Sequence, residues 1–145
     1  MGLQTAHAVE QRTRAVNWRL RDLHALEHML DEGVFDVSLP HIGAEQELFL
    51  VDQLWRPAPI ATEVLEAVND PHFTTELARF NLEFNLDPHV FGGSCLRDME
   101  WQLGELLGKA REAAQRCGGD VVMTGILPTL KKTDLELINM TPNPR

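Results

Sequence analysis

The chain has little positive charge. Its 145 residues include 13 lysines and arginines against 22 aspartates and glutamates, which gives a formal net charge of −9. Non-specific binding to nucleic acid requires clustered cations, so we expect no nucleic-acid partner. The deficit does not exclude anionic substrates, because a bound metal or a local arginine can override the global charge.

Long apolar runs are also absent. No run approaches the roughly 20 residues that span a bilayer, and the amino terminus has no apolar signal core. The four arginines between residues 12 and 21 are typical of a transit peptide, but Glu10, Asp22 and Glu27 interrupt that pattern. We therefore expect a cytoplasmic protein with no membrane partner.

Cysteine is scarce, with Cys95 and Cys117 as the only two. We predict both on one helix, which separates them by about 33 Å along its axis. A disulfide requires Cα atoms within about 7 Å. The sequence therefore predicts two free thiols, as in a reducing compartment.

The remaining composition is typical of a soluble domain with a core. Hydrophobic residues make up 43% and charged residues 24% of the chain, and 145 residues fit one domain. Apolar residues at spacings of three, four and seven predict a leading helix over residues 3–32, ended by Gly33. We assign residues 1–33 to this helix and 41–145 to a sheet with covering helices, all within one domain.

Two shorter helices and a late strand complete the predicted elements. Thr62 is expected to cap a helix through Val68, and Ser94 a helix reaching Cys117. Residues 120–126 are predicted to form a strand in which Val121, Val122 and Met123 are buried. The apolar stripe of the second of these helices is Leu96, Met99, Leu103, Leu106, Ala110, Ala113 and Cys117.

The stretch from Ile42 to Asp52 is predicted to form a β-strand that carries acidic side chains on one face. Side chains alternate across a strand, so Glu45 and Glu47 point the same way, about 7 Å apart. Two like charges on one face repel, and a divalent cation such as Mg²⁺ turns that repulsion into attraction. A solvated sheet face that carries two glutamates by chance gives the same pattern.

A second strand, predicted over residues 76–86, strengthens the metal interpretation. Its apolar face comprises Ala78, Phe80, Leu82, Phe84 and Leu86, and its polar face comprises Arg79, Asn81, Glu83 and Asn85. If both strands pack their apolar faces on one core, Glu83 joins Glu45 and Glu47. Three carboxylates on one surface are suited to holding Mg²⁺ and a polyanion bridged by it.

Four segments then occur in a recognisable order. They are Ile42-Gly43-Ala44-Glu45-Gln46-Glu47-Leu48-Phe49, Arg79-Phe80-Asn81-Leu82-Glu83-Phe84-Asn85, Thr124-Gly125-Ile126-Leu127-Pro128-Thr129-Leu130 and Asn139-Met140-Thr141-Pro142. Together they make the chain similar to the amino-terminal part of the glutamate–cysteine ligase family 2 proteins, the carboxylate–amine ligases. Family members are longer, so the resemblance implies an amino-terminal fragment that lacks much of the active site and is inactive alone.

The resemblance implies an α+β fold of glutamine-synthetase type. In that fold a curved antiparallel sheet carries helices on its outer face and the active site on its inner face; here the sheet would be incomplete. It also implies ATP- and Mg²⁺-dependent amide formation through an acyl phosphate. The small-molecule substrates would be glutamate or a similar carboxylate and cysteine or another amine, as in glutathione biosynthesis.

The resemblance also implies roles for individual residues. Glu45, Glu47 and Glu83 would be metal ligands. Arg79, Asn81 and Asn85 would contact the nucleotide or substrate, and no catalytic residue is assigned. The sequence leaves the oligomeric state open, although unpaired strand edges in a fragment invite association with a second copy.

Two other functional classes remain open. One is a non-catalytic truncated paralogue or interaction fragment, and the other is a different metal-dependent phosphotransferase on a similar sheet. Within the leading helix, His24-Ala25-Leu26-Glu27-His28 also matches the His-x-x-Glu-His pattern of one zinc peptidase class. No separate third zinc ligand stands out, so a histidine pair flanking the apolar stripe is the simpler interpretation.

Overall fold

A computed structural model describes residues 2–35 and 39–142, with side chains described from residue 12 onward. The chain divides into two compact units, Met1–Pro40 and His41–Arg145. The first unit is helix α1, Gly2–Asp31. Its end matches the prediction, because Gly33 adopts the left-handed φ of 64° that favours glycine at a helix terminus.

The second unit is built on two antiparallel sheets. Strands β1 (His41–Ile42) and β5 (His89–Val90) form a small pair. A four-stranded sheet has the order β3-β4-β2-β6. Its strands are β2 (Glu45–Val51), β3 (Phe73–Thr75), β4 (Asn81–Asn85) and β6 (Asp120–Val122). The expected α+β class with antiparallel pairing is thereby confirmed.

Helices α2 (Ala61–Val68) and α3 (Cys95–Arg116) pack on the same face of this larger sheet. The core between them is continuous and fully apolar. Its most deeply buried members are Leu48, Leu50, Leu82 and Phe84 from the sheet, Val64 from α2, and Ala110, Ala113 and Ala114 from α3. Small alanines on α3 let the helix approach the sheet closely. The helices cover one sheet face, and the other face carries Glu45, Glu47 and Glu83.

Several predicted details of the helices are wrong. Thr62 lies inside α2, and the cap position is Ile60, which makes no side-chain cap. Ser94 is at the cap of α3, but its hydroxyl donates to Asp98 Oδ2 at 2.8 Å and caps no backbone N–H. Leu96, predicted in the buried stripe, is 63% exposed, whereas Met99 one turn later is buried in the core.

The second predicted strand is shorter than expected. Residues 81–85 are β4, whereas residues 76–80 form the connection from β3, a strand that the sequence analysis missed. Ala78 and Phe80 are buried as expected, but outside the main core. The Phe80 ring instead stacks at 6.4 Å on Phe49, whose position in β2 directs it to the face opposite the core.

The late strand is also shorter than expected. It ends at Val122, where pairing with β2 stops. Val121 is buried, Val122 is half-buried and Met123 is exposed, so the prediction that all three are buried is wrong for the last two. The two cysteines are free, as predicted.

A polar network fastens α3 to the loops at one end of the sheet. Asp70 Oδ2 accepts a hydrogen bond from Lys109 Nζ at 2.6 Å, and its Oδ1 lies 2.6 Å from His72 Nδ1. The other ring nitrogen of His72 lies 3.3 Å from Asp87 Oδ1. These carboxylates raise the pKa of His72, and Asp70 is the main cause, while Lys109 and His72 lower the pKa of Asp70.

Candidate functional site

The register of β2 and β4 builds the candidate site. Glu47 lies directly opposite Glu83, and Glu45 lies directly opposite Asn85. Residues opposite each other in an antiparallel pair project to the same face. Since Leu48 and Leu82 are opposite each other in the core, the glutamates lie on the other face. The predicted adjacency of Glu45, Glu47 and Glu83 is therefore confirmed as geometry; their role as ligands stays a prediction.

The tightest carboxylate group differs from the predicted one. Glu47, Glu76 and Glu83 can each offer an oxygen such that all three oxygens lie within 4.8 Å of one another. Glu76 comes from the connection between β3 and β4, and Glu45 lies beside this group on β2. We call Glu45, Glu47, Glu76 and Glu83 the acidic cluster.

Sequence reasoning missed Glu76 because it treated residues 76–86 as one strand. Strict alternation assigns Glu76 to the apolar face with Ala78 and Phe80. The chain instead turns after Thr75, so the alternation is lost before Asn81 restores it. One signal was present: a carboxylate at the head of an otherwise apolar series is out of place on a core face.

Within the acidic cluster, the pKa of Glu83 is raised above its ordinary value. Burial raises the pKa of Glu83, and the nearby carboxylates of Glu76 and Glu45 raise it further. A hydrogen bond from Asn85 Nδ2 to Glu83 Oε1, 2.9 Å long, opposes that rise because it stabilises the ionised form. The site thus penalises the negative charge of Glu83, and a bound cation would remove that penalty.

The three residues expected to contact nucleotide or substrate fall into two groups. Asn81 and Asn85 are in β4 on the same face as Glu83, as predicted, with Asn81 opposite Phe49. Arg79 is in the turn before β4, so the prediction that it shares the polar strand face is wrong. Its backbone holds that turn, donating N–H to Asn139 O at 2.8 Å and accepting from Ala61 N at 3.0 Å.

The carboxyl-terminal motif lies against this turn. Met140 forms an isolated antiparallel bridge with Ala78, and Thr141 N–H donates to Leu77 O at 2.9 Å. Two of the four motifs, one centred on residues 79–85 and the other on 139–142, are therefore neighbours in space. The pairing fixes the segment that carries Glu76, so residues distant in sequence help to position the acidic cluster.

The motif from Thr124 to Leu130 forms a bend after β6. Leu127 is buried, Thr124 Oγ1 donates to Ile126 O at 3.2 Å, and the Thr129 hydroxyl donates to Trp55 O. Lys131 and Lys132, which follow the bend, are both exposed. Two short 3₁₀ helices, Lys132–Leu135 and Leu137–Asn139, follow Lys131 in the chain.

The histidine pair of α1 has local partners. His24 Nδ1 lies 3.1 Å from Glu27 Oε2, and His28 Nε2 lies 3.4 Å from Glu32 Oε1. All four side chains are more than half exposed. This arrangement agrees with a solvated helix face, and no third ligand groups with the two histidines among the residues searched.

Comparison with known proteins leaves the family open. No family model, no curated protein and no solved structure matches the chain. No helix in the described part of the chain combines the length and the apolarity needed to cross a membrane. The functional argument therefore rests on the acidic cluster and on the sequence motifs around it.

Proposed function

We propose that the chain carries part of the active site of an ATP- and Mg²⁺-dependent carboxylate–amine ligase of the glutamate–cysteine ligase type, in a cytoplasmic enzyme. One observation carries the proposal: the acidic cluster lies on the face of an antiparallel sheet opposite its covering helices. Two of the motifs that suggested this family supply three members of the cluster, Glu45, Glu47 and Glu83. The finer assignment to a glutamine-synthetase-like fold belongs to this proposal.

The donor set suits Mg²⁺. Carboxylate and amide oxygens are hard ligands, and opposite ligands of an octahedral Mg²⁺ ion lie about 4.2 Å apart, twice a bond of about 2.1 Å. The oxygens of Glu47, Glu76 and Glu83 that lie within 4.8 Å of one another are near enough for three ligands of one ion. Small side-chain adjustments would bring these oxygens into range, with Glu45 as an additional ligand.

The proposed chemistry explains why the site would need this charge. A carboxylate is a poor electrophile, so the γ-phosphoryl group of ATP is first transferred to it, and the amine then displaces phosphate from the acyl phosphate. Bound Mg²⁺ would neutralise the charge spread over the phosphate oxygens. Glu47, Glu76 and Glu83 would hold the cation. Asn85 donates a hydrogen bond to Glu83 and orients it. Asn81 lies on the same sheet face and would contact the nucleotide or substrate, whereas a contact from Arg79 would have to come from the turn before β4.

The test is amide formation by the protein expressed from its full reading frame, including any sequence that follows Arg145. With ATP, Mg²⁺, glutamate and cysteine, we expect ADP, phosphate and a γ-glutamyl amide by mass spectrometry. Replacing the amine by hydroxylamine should trap the acyl phosphate as a hydroxamate. A stable phosphorylated product with no amide would favour a phosphotransferase, and no ATP consumption would refute both enzymes.

Glu76→Gln is the most informative variant, because Glu76 belongs to the tightest carboxylate group but lies outside the strands β2 and β4. We expect it to lower the affinity for Mg²⁺ and the ligation rate by at least about ten-fold, as a lost ligand charge should. The matched control is Glu112→Gln on the exposed side of α3. Equal loss in both variants would show a general effect of charge.

A second candidate function rests on a different observation. Leu77, Ile126, Leu137 and Ile138 are between 75% and 90% exposed, and Leu77 and Ile138 flank the bridge between Ala78 and Met140. Exposed apolar residues of this size favour a protein-interaction surface. If the chain were a non-catalytic interaction fragment, Leu137→Ser would abolish partner binding, and Glu76→Gln would leave that binding unchanged.

A further inference from the structure

Helix α1 carries a row of exposed aliphatic side chains. Successive residues of an α-helix turn by about 100°, so residues three, four and seven apart share one face. The row spans about 120° of arc and consists of Val16, Leu20, Leu23, Leu26 and Leu30, which we call the α1 seam. Each member is between 45% and 61% exposed. An apolar stripe of this width is typical of a helix that packs against another element.

The charges of α1 are segregated along its axis. Residues 12–21 contain four arginines and no acidic residue, whereas residues 22–32 contain four acidic residues and no lysine or arginine. The boundary falls between Arg21 and Asp22, close to the middle of the seam. A second copy of the helix laid antiparallel would place each basic half along an acidic half. A parallel copy would place like charges side by side.

We propose that α1 is a dimerisation helix, which pairs antiparallel with α1 of a second copy of this chain along the seam. A two-fold axis near Leu23 sets Val16 of one copy beside Leu30 of the other, and Leu20 beside Leu26. The same register brings Arg19 of one copy near Glu27 of the other. Both the apolar row and the charge pattern are thus self-complementary, as a two-fold interface requires.

The self-complementarity is what favours a second copy over another occupant. A different partner would have to supply its own basic and acidic halves in matching order, whereas α1 already contains both. The opposite face of the helix provides a position for a control substitution. Ala25 lies about 200° around from Leu23, and the exposed Trp18 and Met29 lie near that opposite face.

The first experiment measures self-association of the whole chain by sedimentation velocity across a concentration series. We expect wild type to dimerise, and Leu23→Glu to raise the dissociation constant by at least about ten-fold, since both copies then bring a charge to the axis. Ala25→Glu adds the same charge to the opposite face and should change it by less than about three-fold. Circular dichroism checks that both variants remain folded, and Leu30→Glu is a second seam variant.

The second experiment tests orientation. Single-cysteine additions Val16→Cys and Leu30→Cys are mixed and oxidised mildly, with wild type as the control for the native cysteines. An antiparallel pair gives predominantly 16–30 cross-links, and a parallel pair gives 16–16 and 30–30 cross-links, which would overturn the proposed orientation. A chain that stays monomeric at all concentrations would overturn the proposal and indicate that the seam docks on its own chain. Equal effects of Leu23→Glu and Ala25→Glu would also overturn it.

Discussion

Replacing Glu83 by glutamine should stabilise the metal-free protein at neutral pH. Glu83 lies opposite Glu47 in the β2–β4 register, and Glu76 and Glu45 add further negative charge. The glutamine keeps the size of the side chain and a carbonyl oxygen for the hydrogen bond from Asn85 Nδ2. Its amide also offers Glu76 a donor, so charge repulsion is removed without an unsatisfied polar group.

The expected gain follows from the cross-strand geometry. Side chains directly opposite in an antiparallel pair have Cβ atoms about 4.5–5.5 Å apart, and such pairs contribute roughly 0.2–1 kcal/mol. Because Glu83 faces one carboxylate directly and has a second close by, we expect the upper half of that range, about 0.5–1 kcal/mol. In a small domain this raises the melting temperature by roughly 2–8 °C.

The gain should depend on pH in a defined direction. The pKa of Glu83 is raised above its ordinary value of 4.5, so the folded state binds the proton more tightly than the unfolded state. The penalty on the wild-type protein is therefore complete above the folded pKa and vanishes below the unfolded one. Thermal melts from pH 7 down to pH 4 should show the advantage of the glutamine variant shrinking towards zero.

Magnesium should reverse the order of the two proteins. A ligand at one hundred times its dissociation constant stabilises the folded state by about 2.7 kcal/mol. Wild type should gain that amount, and the Glu83→Gln variant should gain less. Glu112→Gln is the charge-matched control and should respond as wild type does. A glutamine variant no more stable than wild type at pH 7 would refute the repulsion argument, and an unchanged response to Mg²⁺ would refute the ligand role.

Three further predictions concern the second unit. The contribution of His72 to stability should be complete below about pH 6.5 and be lost as the pH rises through its raised folded pKa. Thermal melts should therefore show wild type more stable than His72→Gln at pH 6, and the two melting temperatures should converge at pH 9. The control is His41→Gln, at an exposed position. Gly119→Ala should cost about 1–3 kcal/mol by chemical denaturation, because its Cβ would lie 2.9 Å from Val51 O, whereas Gly108→Ala in α3 meets no atom within 4 Å and should stabilise by up to about 1 kcal/mol. Phe84→Ala should cost about 3–5 kcal/mol, since the side chain is fully buried between sheet and helices.

Alternation in β2 was the most reliable sequence signal. It assigned Glu45 and Glu47 to one face and Leu48 and Leu50 to the other, and the structure agrees. The pattern is reliable there because one face is buried against helices, so a slip by one residue would expose every leucine. The same physical reason made the β4 residues from Leu82 onward predictable.

Alternation gave the wrong structure for the connection before β4, residues 76–80, which is not a strand. Ala78 and Phe80 fit the alternation, yet they are buried by a turn and by the stacking of Phe80 on Phe49. A hydrophobic pattern records that a residue is buried, and it does not record which surface buries it. That ambiguity hid the short strand β3, misplaced Arg79 and concealed Glu76.

The bridge between residues 139–141 and the turn at residues 77–79 has a consequence for how the protein is made. Synthesis proceeds from the amino terminus, so residues 139–141 are added after all the strands and helices that form the core. The loop that holds Glu76 must close against a segment that emerges much later. Until then the Glu76 carboxylate has more freedom to stay away from Glu83. We therefore expect the full repulsion of the acidic cluster to arise only when the carboxyl-terminal segment docks, after the residues of the packed core have been made.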